Sequence, residues 1–454
     1  MVVEGWLARA AAGRPERVAL ETREGSCTYA ELLALARAGA HELAERGAGP
    51  GDRVAIALAP GVAFAQALHA CLLLGAVAVP VDVRATEAER AGIGEGATVC
   101  VEEPLSGRSA QVRGVGLPRG ALGRGHDLDA TAIVLHTSGT TSGPKPVELT
   151  YGNFLWSALG SSVALGQDVA ERWLCTLPLC HVGGLSILLR SCIYGTTALV
   201  HERFETDRAL CAIRDQGVTL VSLVATTLGR LLEAGLWRPR SLRCALTGGG
   251  PVPAALLDRA REAEVPVSLT YGLTEACSQV TTTPLAAIAG RGPGGDRPTA
   301  AGPPLFCTRL QIAADGEILV RGPTVAAGAT AEDGWLQTGD LGTVDREGRL
   351  LIDGRKADRI VSGGENISPA EVEAVLAAHP KVLEAAVLGR PDLEWGEAVT
   401  AIVVAGGGAE PDEDELRAHC ARALAHYKVP KRIVVTSEPL PRTPSGKLLR
   451  RELQ

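Results

Sequence analysis

Aromatic side chains are scarce in this sequence, with 6 Trp, 5 Tyr and 4 Phe among 454 residues. Its cores must therefore be filled by Ala, Val and Leu. Positive charge is not in excess either. A formal charge of −7 gives no general attraction to nucleic acid or to an anionic membrane, so any phosphate binding has to be local. The 11 cysteines form no C-x-x-C pair and show no histidine spacing of a zinc module. They read as reduced, mostly buried thiols. No basic segment followed by an apolar stretch opens the chain, which predicts no signal peptide and a cytoplasmic location. The most apolar window, 63–83, is interrupted by Gln66, His69, Gly75 and Pro80 and reads as a helix followed by a strand, with no membrane insertion. Internal repeats are absent.

What is present is an alternation of helix and short apolar run. Thr28 to Glu31 is a capping box opening a helix to about Arg46. A glycine-rich turn at 47–52 leads to a strand over 53–58, a helix through Leu74 and a strand at 76–79. The alternation continues to about Val280 and predicts an α/β fold with largely parallel sheets. At 454 residues the chain calls for two or more domains.

Four segments carry chemistry. The run Ala132 to Leu135 feeds H-T-S-G-T-T-S-G-P-K-P, residues 136–146. There Thr137, Ser138, Thr140 and Thr141 offer hydroxyls, Gly139 and Gly143 let backbone N–H groups approach closely, and Lys145 adds a compact cation. This composition suits a polyphosphate, although the common P-loop spacing is absent and an exposed linker would look similar. Gly248, Gly249 and Gly250 follow a strand at 242–246 and permit close approach of a flat ligand, or simply make a flexible turn. Thr270, Tyr271, Gly272, Thr274 and Glu275 follow the apolar run 265–269. After a tight turn, Glu275 could hold Mg²⁺ through oxygen and Thr274 could touch a phosphate; an N-capped helix start has the same pattern. Finally, T-G-D at 338–340 places Asp340 to grip vicinal hydroxyls, or marks a turn.

The order of these motifs is more telling than any one of them. T-S-G-T-T-x-x-P-K, then Y-G-x-T-E, T-G-D, G-R-x-x-D-R-I-V-S-G-G-E-N-I and a terminal P-x-x-x-x-G-K resembles the acyl-adenylate-forming superfamily of acyl-CoA synthetases, peptide-synthetase adenylation domains and luciferases, over nearly the whole chain. The resemblance implies a large N-terminal domain of α/β layers, 1–353, and a small mobile α+β C-terminal lid domain, 354–454. It also implies roles for residues. Thr137 to Lys145 would be the phosphate loop, Gly248 to Gly250 the adenine and acyl pocket wall, Thr274 and Glu275 the phosphate and Mg²⁺ contacts, and Asp340 with Arg355 the ribose pair. Lys447 would bridge the carboxylate and α-phosphate. Gly363 and Gly364 would face the thiol after lid rotation, and Ala357 stands near a hinge where Asp or Lys is usual.

The chemistry behind such a set can be stated from the reaction. A carboxylate has no good leaving group, so it must attack the α-phosphorus of ATP and expel pyrophosphate before a thiol can displace AMP. Two anions meet in the first step. Mg²⁺ and lysine neutralise the charge that builds there, and positioning supplies much of the rest.

The lid is expected to carry a strand at 358–362, a capping box at Ser368 to Glu371 with Pro369 in the first helical position, and a helix at 413–424. For the acid, the stretch where peptide-synthetase domains place an amine-binding aspartate holds His181 instead. Together with the absence of a carrier domain after Lys447, this points to a free acid and free coenzyme A. The P-L-C-H-V-G-G-L-S-I-L-L-R segment at 178–190 resembles the o-succinylbenzoate-CoA ligases of menaquinone biosynthesis. That substrate class implies an apolar ring pocket with polar groups for a second carboxylate. Arg190, Ser222, Ser278, Gln279 and Thr281 are the candidates, with His181 as a gate or wall; Arg190 as an exposed helix residue, and Ser222 and His181 as satisfied core groups, are the competing readings. A ligase for another aryl or medium-chain acid and a non-catalytic nucleotide-binding homologue remain alternatives. A homodimer is expected on family grounds.

Overall fold

The computed structural model describes residues 1–106, 125–137, 145–289, 299–406, 411–442 and 448–453. Within them the sheets are largely parallel, as the alternation predicts. One five-stranded sheet runs Val99–Val101, Arg53–Ile56, Val77–Pro80, Thr131–Thr137, Lys145–Thr150, the first four parallel and the last antiparallel. A second sheet has eight strands. Its six central members, from Val267–Leu273 through Cys244–Thr247, Leu220–Leu223, Arg172–Cys175 and Thr197–Val200 to Val18–Thr22, are parallel. Ser278–Thr282 and Gly25–Thr28 close the two edges antiparallel.

Burial explains why these short runs become strands. Every residue of Val77–Pro80, Thr197–Val200, Leu220–Leu223 and Cys244–Thr247 is buried, the pattern of parallel strands covered on both faces. The helix Val62–Leu74 is buried at every position from Phe64 onward, because an all-round apolar helix belongs between layers. With so few aromatics, Trp6, Tyr29, Phe64, Tyr151, Phe154 and Trp173 are the large members of a main core filled mostly by Ala, Val, Leu and Ile with some Cys. Among the described residues no helix is long and apolar enough to cross a membrane.

Thr28, Thr86 and Thr150 each open a helix with a full capping box. Thr28 accepts from the Glu31 amide and its own amide donates 2.8 Å to Glu31 Oε2, completing the box that opens Tyr29–Glu45. Ser368 does not behave this way. It stands at the N-cap of Pro369–Ala377 with Pro at the first turn, but no side-chain cap bond forms. Its hydroxyl donates instead to the Asp353 carbonyl, and Glu371 is held by Lys428 at 2.7 Å. The expected box is lost to two tertiary partners.

Residues 309–355 form an antiparallel sheet that the alternation did not announce, ordered Arg309–Ile312, Glu317–Arg321, Leu336–Val344, Leu350–Arg355. Beyond it lies a separate C-terminal unit with its own core. It is built on Glu365–Ile367, Ile360–Ser362, Gly396–Ala405 and Val382–Asp392, with Arg432–Thr436 parallel to Gly396–Ala405. The helix Glu413–Ala423 packs there through Leu416 and Cys420.

Candidate active site

The strand Val267–Leu273 delivers the first group of candidates. Thr270, Tyr271 and Gly272 are strand residues, correcting the expected tight turn; the chain turns only afterwards, through the 3-10 turn Thr274–Ala276, and returns as Ser278–Thr282. The return is tight. A β-bulge falls between Tyr271 and Gly272, and a Cβ on Gly272 would lie 1.8 Å from the Ser278 carbonyl oxygen, so only glycine fits. Cys277 and Ser278 take φ of 51° and 92°, a strained conformation for non-glycine residues. Two bonds fix the turn: Cys277 N to Thr274 O at 3.0 Å and Ala326 N to Glu275 O at 2.8 Å. The Glu275 carboxylate itself is partly exposed and has no hydrogen-bond or ion-pair partner among the described residues.

Beside this strand, Gly248 bonds Leu223 O at 3.1 Å through its amide. A Cβ here would sit 2.7 Å from Thr270 Cγ2. Gly249 has φ of 79°, and Gly250 is open on all sides. The three glycines therefore present bare backbone next to Thr270.

Asp340 closes the group from the antiparallel sheet. It lies within the strand Leu336–Val344, opposite Arg355 in register; it does not sit in a turn. Arg355 Nε is 2.7 Å from Asp340 Oδ1, and the Tyr271 hydroxyl donates to Oδ2 at 2.7 Å. Burial, reinforced by the Asp340 charge, pushes the Tyr271 phenol well up and keeps the donor protonated. Glu317 stands behind the same strand. It accepts from the Gly339 amide at 2.9 Å and pairs with Lys356 at 2.9 Å, while Lys356 also reaches Asp315 at 2.7 Å.

Of the acid-pocket candidates, Arg190 reaches the Cys277 turn through Ser157, and Ser278, Gln279 and Thr281 lie on the strand that follows it. Arg190 is 3% exposed, which overturns its reading as a surface helix residue. Its Nη2 donates to Ser157 Oγ at 2.9 Å, and Ser157 donates to the Cys277 carbonyl at 2.6 Å. The guanidinium lies 5.9 Å from the Trp173 ring centre. Its Nε has no partner, and no carboxylate pairs with it among the described residues; burial lowers its pKa. Ser222 is buried and accepts from Trp173 Nε1 at 3.0 Å. Gln279 gives its amide to Thr282 Oγ1 at 2.7 Å and leaves Oε1 buried without a partner. Thr281 commits its hydroxyl to Ala301 O at 2.8 Å, and Ser278 is half-buried. His181 caps the helix Val182–Tyr194, its pKa lowered by burial.

Thr137 and Lys145 face each other across the hairpin Thr131–Thr137 and Lys145–Thr150, with the Thr137 hydroxyl 3.4 Å from Lys145 O. Ser138, Gly139, Thr140 and Thr141 lie outside the described residues. So does Lys447, next to Leu448, which bridges Arg442. Ala357 is exposed in the 3-10 turn Lys356–Asp358. Gly363 and Gly364 have φ of 60° and 84° and join Ile360–Ser362 to Glu365–Ile367, the conformation a two-residue hairpin turn demands.

The family model for AMP-binding enzymes matches residues 7–102 and 96–329, and that for the AMP-binding enzyme C-terminal domain matches 371–447. The chain belongs to the AMP-binding enzyme family. Among curated relatives, the 2-succinylbenzoate--CoA ligase of Bacillus subtilis is 38% identical, covering 99% of this chain and 97% of that one. The same ligase of Geobacillus kaustophilus is 41% identical, with 99% and 97% covered. The solved o-succinylbenzoate CoA synthetase of Bacillus subtilis with its acyl-adenylate intermediate OSB-AMP superposes with a TM-score of 0.88 at 38% identity, covering 100% of this chain and 98% of that chain. Against a double mutant of that synthetase bound to the product analogue OSB-NCoA the TM-score is 0.71, at 38% identity with 100% and 99% covered.

In this AMP-binding enzyme the sequence did not single out Ser157, Trp173, Glu317 or Lys356. Ser157 and Trp173 sit in helix and strand patterns indistinguishable from core. Glu317 and Lys356 carry the weak signal of opposite charges on a strand and the turn after Arg355, meaningful only once the antiparallel sheet is known.

Proposed function

We propose that this AMP-binding enzyme is an ATP-dependent o-succinylbenzoate-CoA ligase of menaquinone biosynthesis, joining the acid to ATP as an acyl-adenylate and then to coenzyme A with release of AMP. The observation that carries the substrate is Arg190: a buried cation, pinned by Ser157 and Trp173, without an anion beside it among the described residues. An unpaired buried charge is costly, and the second carboxylate of the substrate would supply the missing partner. The buried Gln279 Oε1 and the Ser222 hydroxyl add polar groups to the same wall.

For the nucleotide, we assign Asp340, held by Tyr271 and Arg355, to the two ribose hydroxyls through charge-assisted bonds. The bare backbone of Gly248 to Gly250 would accept the flat adenine. Thr137, Ser138, Gly139, Thr140, Thr141 and Lys145 are assigned to the phosphates, and Thr274 to the α-phosphate. Glu275 fits Mg²⁺, being an oxygen ligand, partly exposed and unengaged; when bound, the ion neutralises charge on the phosphate oxygens. Lys447 is assigned to the meeting of carboxylate and α-phosphate.

We place the lid boundary at 353/354 and assign Gly363 and Gly364 to the thiol step, delivered by lid rotation near Ala357. A cytoplasmic location and a homodimer are carried forward as family expectations, to be read from cell fractionation and light scattering. The deciding experiment is mass spectrometry of products after incubation with ATP, Mg²⁺, coenzyme A and o-succinylbenzoate. The thioester is the expected product. An acyl-adenylate alone would keep the first step and remove the second. Absence of both, with no pyrophosphate exchange over a panel of aryl and medium-chain acids, would reduce the chain to a nucleotide binder.

A further inference from the structure

Asp82 meets the neighbouring pair Cys180 and His181 at one point although almost 100 positions separate it from them in sequence. One ligand atom from each, a carboxylate oxygen, the thiol sulfur and a ring nitrogen, lies within 4.8 Å of the other two. Asp82 follows the parallel strand Val77–Pro80, and Cys180 and His181 precede the helix Val182–Tyr194. The trio therefore stands where the two N-terminal sheets come together. Spacing along the chain concealed it, because no two of the three form a recognised metal motif.

We propose that Asp82, Cys180 and His181 form a binding site for a borderline-soft divalent cation, zinc above all, beside the acid pocket and separate from the Mg²⁺ of the reaction. The donor set is one oxygen, one nitrogen and one sulfur, which suits tetrahedral zinc and not magnesium. Zinc–ligand bonds of about 2.0 to 2.3 Å put tetrahedral ligand atoms about 3.3 to 3.8 Å apart, so the trio needs to close by about an ångström. The fourth position is left for water.

Charge supports the assignment. Arg84 donates to Asp82 through its amide at 3.0 Å, Nε at 2.8 Å and Nη2 at 2.6 Å. That fills three of roughly four acceptor positions on a carboxylate and leaves one on the metal side. Arg84 thus orients the carboxylate as an outer partner does around a metal ligand. The Cys180 thiol is kept protonated, pushed up to about 12 by burial and then by Asp82. On binding, the sulfur–zinc bond replaces the S–H bond and the proton leaves to buffer. Thiolate and carboxylate then supply two negative charges to the ion, the carboxylate's being shared with Arg84. His181 enters as the neutral ring, the form that burial already favours.

The consequence is inhibitory. An ion at this point ties the His181 ring to the strand end at Asp82, so zinc reduces turnover without occupying the nucleotide site.

The test uses the full-length protein in Mg²⁺-free buffer and Co²⁺ as the probe. One Co²⁺ per chain should bind with tetrahedral visible bands and a near-ultraviolet thiolate band, both displaced by Zn²⁺. Cys180→Ser should abolish the thiolate band, and Asp82→Asn should weaken binding by about tenfold or more. Cys100→Ser and Cys211→Ser, which remove the exposed thiols, should leave the spectrum intact. Zn²⁺ should then inhibit the wild type reversibly to EDTA and spare Cys180→Ser. A thiolate band that survives Cys180→Ser, an octahedral spectrum, or no binding would overturn the site. The spectroscopic readouts do not require that o-succinylbenzoate be the substrate; only the inhibition readout rests on the proposed function.

Discussion

Tyr271 and Asp340 meet at 2.7 Å from two different sheets, the phenol donating to the carboxylate that Arg355 holds on its other oxygen. This contact ties the strand leading to Glu275 to the strand facing the hinge. Asp340→Asn is expected to raise the KM for ATP by about ten- to a hundredfold, and Tyr271→Phe by about three- to tenfold. An unchanged KM in Asp340→Asn would remove the ribose assignment; initial-rate kinetics at varied ATP decide it.

Arg190 allows stability to be separated from binding. Because its charge is buried without an anion, Arg190→Met should leave the thermal midpoint unchanged or raise it. The same variant should raise the KM for o-succinylbenzoate by about ten- to a hundredfold, with the KM for ATP little changed. A lowered midpoint with an unchanged KM for the acid would make Arg190 a structural residue only.

Lys447→Ala is expected to lower pyrophosphate exchange by about a hundredfold or more while ATP still binds. Thioester formation from supplied acyl-adenylate should persist in this variant. Loss of both half-reactions would mean that the tail lysine does more than assist adenylation.

The pH dependence of stability follows from buried histidines. Burial drives His69, His126 and His201 down from 6.5 to about 4. Each is therefore neutral in the folded chain at pH values where the unfolded chain already takes up its proton. Their contribution is fully present above about 6.5, shrinks as pH falls and levels off only below about 4. The thermal midpoint should be flat between pH 7 and 8 and fall steadily from about 6.5 to 4, less steeply in His69→Gln. A flat profile down to pH 5 would contradict the burial of these rings.

The motif order pointed to atoms at particular strand ends, and of these the structure brings Tyr271, Asp340 and Arg355 into contact. The parallel sheets were legible for a similar reason, since strands covered on both faces must be continuously apolar. The sheet over 309–355 was not, because its strands interrupt the apolar pattern with charges, Arg309 and Arg321 exposed and Glu317 buried against Lys356. Ser368 shows a different limit. Its cap pattern is correct locally, yet its hydroxyl finds the Asp353 carbonyl, and tertiary geometry outweighs a bond worth ~1 kcal/mol. The burial of Arg190 was equally out of reach, since helix periodicity does not reveal which face a neighbouring helix covers.

Lys356 grips Asp315 and Glu317 just past Arg355, and nearly half of its side chain is open to water. A hold made of exposed charge is light and fades as salt is added. Ionic strength therefore acts as a clutch on the turn after Arg355: dilute buffer keeps it fastened to the antiparallel sheet through Asp315 and Glu317, and concentrated salt loosens it.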